Sequence, residues 1–306
     1  MRFCESFFTF LQWSLKNKTK LADVTNQIFQ GLKTGGDSIF SLEKINVETS
    51  VTEVLCKLDK KNYKLENDLL FPQIKGGEMK RYLLKKTNRV VLFPYNNGNL
   101  IDENVMNKIY PLTWNYLLAH KTYLENRESG KMKGDSWYGY TRNQALTSME
   151  QTKILTPDYY ANASFCIDFL GKYFFFGGGA GGYGIVAKEI NMLYLLGLLN
   201  SKLLDWFLHK ISVRQYQTAY SYVKKYIEQL PIKIIDKENS VEKLQHNNIV
   251  SLVDYMIKIN KRTPPTPYEH ERLEREIAAT DAQIDRLVYD LYGLTEKEIK
   301  IVEGEG

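Results

Sequence analysis

The 306-residue sequence predicts an α+β fold, a mixed α/β body closed by an antiparallel helical hairpin at the C-terminus. Three observations predict it. Short runs of β-branched and aromatic residues recur through the body, two apolar segments there repeat every three or four residues, and a heptad seam follows a proline-rich link near the end of the chain. Hydrophobic residues at 43% and charged residues at 25% match ordinary globular usage and exclude a disordered or fibrous chain.

Residues 1–20 read as an amphipathic linker or docking helix. Phe3, Phe7, Phe8, Phe10, Leu11 and Trp13 are interrupted by Glu5 and Gln12, and no small-residue cleavage site follows, so the segment does not read as a leader. The body, residues 21–235, carries strand-like runs at 51–56, 90–93, 165–169, 173–176 and 232–235. Residues 183–188 read as a further strand, and residues 111–125 and 191–209 as helices.

The third region spans residues 241–306. Ile249, Leu252, Met256 and Ile259 recur at spacings of 3, 4 and 3 and predict a helix running up to Lys261. Three prolines within residues 262–267 then reverse the chain. Thr266-Pro267-Tyr268-Glu269 has the form of a helix start, with Thr as N-cap and Pro in the first helical position. Leu273, Ile277, Thr280, Ile284, Leu287 and Leu291 follow at spacings of 4, 3, 4, 3 and 4. Gly293 stops that helix, and Thr295 with Glu298 opens a last short one.

Charge divides the chain more informatively than composition does. From Glu269 onward eleven acids face five bases, a net of −6, so the first 268 residues carry +11 of a total of +5. A basic body of this kind can face phosphate. The three cysteines (Cys4, Cys56, Cys166) have no close spacing, which fits a reducing cytoplasm, and no apolar stretch is long enough to cross a membrane.

No catalytic constellation emerges. The four histidines are scattered without metal-ligand spacing, so no metal is expected, and neither a nucleophile elbow nor a P-loop is present. The cluster Gly177-Gly178-Gly179-Ala180-Gly181-Gly182 formally satisfies G-x-G-x-x-G. With six glycines in the eight residues 177–184 such a match is compositional, and a strand rather than a helix is expected to follow. The cluster reads as a flexible hairpin or groove-facing loop.

Three basic segments are interleaved with aromatics and amides. One holds Lys80, Arg81, Lys85 and Lys86. The second holds Lys131, Lys133, Trp137, Tyr138, Arg142 and Asn143, and the third Arg214, Gln215, Tyr216 and Gln217. Lys and Arg neutralise phosphates, Arg, Asn and Gln pair with base edges, and aromatics stack on bases.

In family order, several blocks resemble the TaqI-like C-terminal specificity domain of Type IIG and other adenine-specific restriction–modification methyltransferases. The residues are Leu21-Ala22-Asp23-Val24 through Phe40, Lys75-Gly76 with Lys80-Arg81-Tyr82, Val91-Leu92-Phe93-Pro94-Tyr95, and Trp137-Tyr138 with Arg142. Lys153-Ile154-Leu155-Thr156-Pro157, Leu199-Asn200-Ser201-Lys202, Gln229-Leu230-Pro231-Ile232 and Val288-Tyr289-Asp290-Leu291-Tyr292-Gly293-Leu294 complete the pattern. The resemblance implies a DNA target-recognition domain that positions a methyltransferase, and in fused enzymes a nuclease, over a short sequence. It is also similar in role to one recognition half of a Type I specificity subunit.

The family's methyltransferase part carries N-P-P-Y, and Phe93-Pro94-Tyr95 lacks the Asn and the first Pro. The chain is therefore expected to be non-catalytic, either a C-terminal fragment or a separate specificity subunit, with S-adenosylmethionine held only by the methyltransferase domain or subunit. Its expected partners are that unit and double-stranded DNA. Expected phosphate contacts are Lys80, Arg81, Lys85, Lys86, Lys131 and Lys133. Expected base or stacking contacts are Trp137, Tyr138, Arg142, Asn143, Arg214 and Gln215. The alternative is a protein-interaction scaffold that joins a partner through Leu273, Ile277, Ile284 and Leu287 and reads no sequence.

Overall fold

The computed structural model describes residues 18–178, 181–215 and 218–304. The expected docking helix within residues 1–20 lies almost wholly outside the described residues, as do Tyr216 and Gln217.

The chain opens with β1 (Thr25–Gln30) and then leaves the sheet that this strand will join. Residues 31–152 build an excursion around a five-stranded antiparallel sheet. Its strands are β2 (Ser41–Val47), β3 (Val51–Leu55), β4 (Asn62–Glu66), β5 (Leu70–Pro72) and β6 (Arg89–Leu92), in the order β4-β3-β2-β6-β5. Helices α1 (Glu103–Ile109), α2 (Pro111–Ala119) and α3 (Lys121–Glu125) follow. The chain then returns with β7 (Lys153–Pro157), β8 (Cys166–Asp168) and β9 (Gly182–Ala187), which join the first strand in the antiparallel order β1-β9-β7-β8.

This four-stranded sheet is buried on both faces. Ile28, Ile185, Ile154 and Ile167 are successive cross-strand partners and form one row, at most 7% exposed. The opposite face carries the row Phe29, Gly184, Leu155 and Cys166. Because side chains alternate along a strand, neighbouring residues feed different cores. The isoleucine row belongs to a core shared with the C-terminal helices, and the Phe29 row to an aromatic core shared with the five-stranded sheet. Gly184 is obligatory to this arrangement, since a Cβ there would lie 2.4 Å from Cζ of Phe29.

The aromatic core absorbs the residues expected to stack on bases. Trp137 and Tyr138 are each only 2% exposed, with Tyr138 set edge-on to Trp114 at 5.2 Å between ring centroids. The buried Arg127 guanidinium fixes the loop that carries them, donating to the carbonyls of Trp137 (2.7 Å), Gly139 (2.8 Å) and Thr34 (2.6 Å). The reading of Trp137 and Tyr138 as stacking residues is thus corrected.

On the other side of the sheet lie α4 (Met192–Asn200), α5 (Lys202–Ile211), α6 (Ser240–Ile259), α7 (Pro267–Tyr292) and α8 (Glu296–Glu303). The caps are those the sequence predicts. The Thr266 side chain caps α7, Gly293 takes a left-handed conformation (φ +69°), and Thr295 forms a capping box with Glu298. Tyr255 of α6 meets Glu276, whereas Ile249 and Ile284 converge on Gly197, so the two long helices run antiparallel. A Cβ at Gly197 would approach Ile249 and Val253 to 2.8 and 2.9 Å, which lets α4 seat closely against the hairpin.

Three local expectations differ from the structure. Residues 173–176 form only the isolated bridges of Gln73 with Phe174 and Leu32 with Phe176, and residues 232–235 form none, the bridge to Lys20 falling on Pro231. The helix expected over 111–125 is broken at His120, and that over 191–209 at Ser201, whose side chain accepts from the Leu204 amide and starts α5. The hairpin seam also turns inward. Ile284 is fully buried, and Leu273, Ile277 and Leu287 are half-buried against this chain's own core, which corrects their reading as a partner surface.

One ion pair sits inside the sheet. Lys153 and Asp168 are cross-strand partners, 0% and 3% exposed, with Nζ 2.7 Å from Oδ2. The Asp168 carboxylate also accepts from the amides of Lys172 (3.2 Å) and Tyr173 (2.9 Å), and Lys153 donates to the Met149 carbonyl. Removing one member leaves a buried charge without its counter-ion. Lys153→Met is expected to lower the unfolding free energy by about 3–5 kcal/mol in urea titration, and adding Asp168→Leu to recover much of that loss.

Candidate nucleic-acid interface

Several distant segments converge at the end of β1. Beyond Gln30 the backbone is clamped against the glycine cluster, with Leu32 N donating to Phe175 O (2.9 Å) and Gly177 N to Leu32 O (2.9 Å). A Cβ on Gly31 would lie 2.4 Å from the Phe176 backbone, so only glycine permits this approach. The next residue but one, Lys33, bridges to Arg142, which brings Arg142, Asn143 and Gln144 alongside β1.

The result is a groove of about 580 Å³ whose lining includes six carboxamides, Gln27, Gln30, Asn97, Asn99, Asn143 and Gln144, and no charged side chain. Three amides are engaged within the protein, Gln144 with the Gly31 carbonyl, Gln27 with the Ser148 hydroxyl and Asn99 with the Asn97 carbonyl (3.4 Å). The side chains of Gln30, Asn97 and Asn143 make no hydrogen bond to the described residues. A carboxamide presents a donor and an acceptor side by side, which is the pattern an adenine edge offers in reverse.

A second cavity, about 480 Å³, lies beyond the glycine loop and is lined by Lys75, Gly76, Asp158, Tyr159, Tyr160 and Gly181 among others. Lys80 sits over the Tyr160 ring at 4.8 Å and donates to its hydroxyl. A small three-stranded sheet of residues 159–160, 219–221 and 214–215 carries Arg214, exposed over the Tyr220 ring at 5.9 Å, and the half-buried Gln215. The structure therefore places Asn143 in the first groove with Arg142 beside it, and Lys80 and Arg214 near the second cavity. Gly177 packs against Gln30, and Gly181 lines the second cavity. As expected, a strand (β9) and not a helix follows the loop, and Gly179 and Ala180 lie outside the described residues.

The other expected phosphate contacts divide. Lys85, Lys86, Lys131 and Lys133 are exposed. Arg81 is committed elsewhere, because its guanidinium grips Asp281 of α7 (Nε to Oδ2 3.1 Å, Nη2 to Oδ1 2.6 Å) and donates to the Asn200 carbonyl. That corrects its reading as a phosphate contact. Asn200 itself is fully buried and exchanges two hydrogen bonds of 2.9 Å with the Phe165 backbone, in the manner of a strand neighbour. Arg142 is exposed and lies 3.4 Å from Glu128.

Sequence reasoning passed over Gln30, Asn97 and Asn99. One signal was present, since Asn97-Gly98 is a preferred two-residue hairpin turn, and both residues adopt positive φ (+50° and +77°). The convergence of that turn with β1 is a tertiary fact that no local pattern carries.

Asp158 is the unusual titrating group here. Burial pushes its carboxyl from 3.8 up to about 6, against the opposing pull of Lys33, and Oδ1 is buried without a hydrogen-bond partner among the described residues. A raised carboxyl pKa favours the folded state while the group is protonated, fully below pH 3.8, and that contribution is lost as pH rises through about 6. Asp158→Asn is therefore expected to be more stable than the parent above pH 6, with the gap closing toward pH 4 in urea midpoints measured across that range.

Comparison with known proteins places this geometry. Residues 71–232, more than half of the chain, match the family model described as the TaqI-like C-terminal specificity domain. The Type II restriction enzyme and methyltransferase RM.Eco57I of Escherichia coli is 24% identical over 300 residues, covering 91% of this chain and 30% of that protein. The structure of the Type IIL restriction–modification enzyme MmeI in complex with DNA shares the fold at a TM-score of 0.56 and 14% identity, covering 92% of this chain and 33% of that one. The chain thus spans about a third of the length of either protein. Among the described residues no helix is long and apolar enough to cross a membrane. Matched across more than half of its length, the chain belongs to the family of TaqI-like C-terminal specificity domains.

Proposed function

We infer that this chain recognises a short double-stranded DNA sequence on behalf of a restriction–modification adenine-N6 methyltransferase, with or without an accompanying nuclease. It is non-catalytic by itself, and S-adenosylmethionine binds to the methyltransferase domain or subunit that it serves. Family membership supports the class of function, and the uncharged groove of carboxamides is the observation that carries the readout. Duplex affinity arises from the +11 body through the exposed cations Lys85, Lys86, Lys131 and Lys133, with the half-buried Lys80 beside Tyr160. Base discrimination arises from Gln30, Asn97 and Asn143 with Arg142 alongside, and Arg214 and Gln215 serve the second cavity. The scaffold alternative loses its surface, because the hairpin seam is turned onto the core of the same chain.

The two kinds of contact separate by substitution. Asn143→Ala and Gln30→Ala are each expected to cost about 1–3 kcal/mol against the preferred duplex and to relax choice at one base position, read by competition among single-base variants. Lys85→Ala is expected to weaken all duplexes alike and to reduce the slope of log affinity against log salt by about 1. Equal weakening of every duplex by Asn143→Ala and by Gln30→Ala would remove the groove from readout.

A further inference from the structure

Outside the lining of the carboxamide groove, three ligand-type side chains face one another inside the excursion. Cys56 follows β3, Asp59 sits in the turn before β4, and His120 occupies the break between α2 and α3. Their ligand atoms all lie within 4.8 Å of one another, with Cys56 Sγ 3.8 Å from His120 Nε2 and His120 Nε2 3.4 Å from Asp59 Oδ2. Cys56 is fully buried, His120 is 6% exposed, and the Asp59 side chain, 24% exposed, opens the site to solvent.

We propose that Cys56, Asp59 and His120 form a tetrahedral binding site for a divalent d¹⁰ ion of the zinc type, with water in the fourth position.

Three features of the surroundings support it. The tautomer of His120 is set by Tyr116, whose carbonyl lies 2.8 Å from Nδ1. A carbonyl only accepts, so Nδ1 holds the proton and Nε2 turns its lone pair toward the sulfur and the carboxylate, as an outer partner does for a ligating imidazole. Asp59 is oriented in the same way, since Tyr63 donates to Oδ2 and the Lys61 amide to Oδ1 (3.2 Å). The turn is rigid, with Cys56 N bonded to Lys61 O (2.9 Å), Lys60 N to Cys56 O (3.0 Å), and Lys60 at φ +59°.

Distances decide the class of ion. With metal–sulfur bonds of about 2.3 Å and metal–nitrogen or –oxygen bonds of about 2.0–2.2 Å, the edges of a tetrahedron run roughly 3.3–3.6 Å. Two of the three observed edges, 3.8 and 3.4 Å, need at most a slight contraction, and the third, Cys56 Sγ to the Asp59 carboxylate, lies within 4.8 Å and closes as the carboxylate turns onto the ion. A thiolate with one imidazole also excludes magnesium and calcium, which select oxygen. The buried sulfur cannot reach a substrate, which argues against a nucleophilic role for Cys56, and a bound ion would tie the β3–β4 turn to the α2–α3 break.

Cobalt is the direct probe because it reports geometry and sulfur ligation together. The full chain, stripped with chelator and titrated with Co²⁺, is expected to bind one ion per chain. It should give intense visible bands of tetrahedral cobalt and a near-ultraviolet thiolate charge-transfer band, and Zn²⁺ should displace them all. Cys4→Ser should retain the charge-transfer band, and Cys56→Ser and His120→Gln should weaken Co²⁺ binding by at least about 10–100-fold. Should either variant fail to fold, the parent titration still decides. No stoichiometric Co²⁺ binding, octahedral spectra, or a charge-transfer band that survives in folded Cys56→Ser would overturn the proposal and leave a hydrogen-bonded Cys–His–Asp network.

Discussion

The constraint on which the molecule depends is that one four-stranded sheet is buried on both faces. Burial on a single face can be met by alternating apolar and polar residues, but burial on both requires two apolar rows in fixed register. Here the isoleucine row faces the helices and the Phe29–Gly184–Leu155–Cys166 row faces the aromatic core, so a slip of one residue would exchange the two sets. The Lys153–Asp168 pair reinforces the register of β7 with β8, because its two charges are compensated only when those residues stand opposite each other. Two of the blocks that carry the family resemblance, residues 153–157 and 199–202, supply this strand and the buried Asn200 that pairs with the Phe165 backbone.

That rigid sheet is also what aims the groove. β1 is an edge strand of it, and its end runs straight into the glycine-permitted approach of residues 31–32 to residues 175–177. Side chains at such a point inherit the precision of the sheet while remaining open to a ligand, as a recognition surface requires. The carboxamides around it carry no charge, and Lys85, Lys86, Lys131 and Lys133 lie outside its lining, which is the separation of phosphate from base contacts that the proposed function calls for. Arg81 and Arg127, both engaged within the protein, instead hold the excursion together and to α7.

What was legible in the sequence was what local chemistry determines. Thr266, Pro267, Gly293 and Thr295 act within a turn of their own position, and the heptad spacing reports the face of a single helix, so the C-terminal hairpin could be read almost residue by residue. The exposure of Trp137 and Tyr138 was not legible, because the buried Arg127 and Trp114 that enclose them lie elsewhere in the chain. Runs at 173–176 and 232–235 have strand composition yet lack a neighbouring strand to complete a ladder. Cys56 and His120, 64 residues apart, carry no spacing signal, although they meet across a turn. Asn143 was visible as a polar residue in a basic segment, and Gln30 and Asn97 gained their meaning only when the groove assembled around them.

The central claim is that this chain reads sequence, and selection of bound duplexes from a randomised pool tests it most directly. With the full chain, first at low and then at near-physiological salt, the account predicts one short motif that remains enriched as salt rises, since base contacts persist where phosphate contacts are screened. Duplexes retained without any motif, or retained only at low salt, would contradict it.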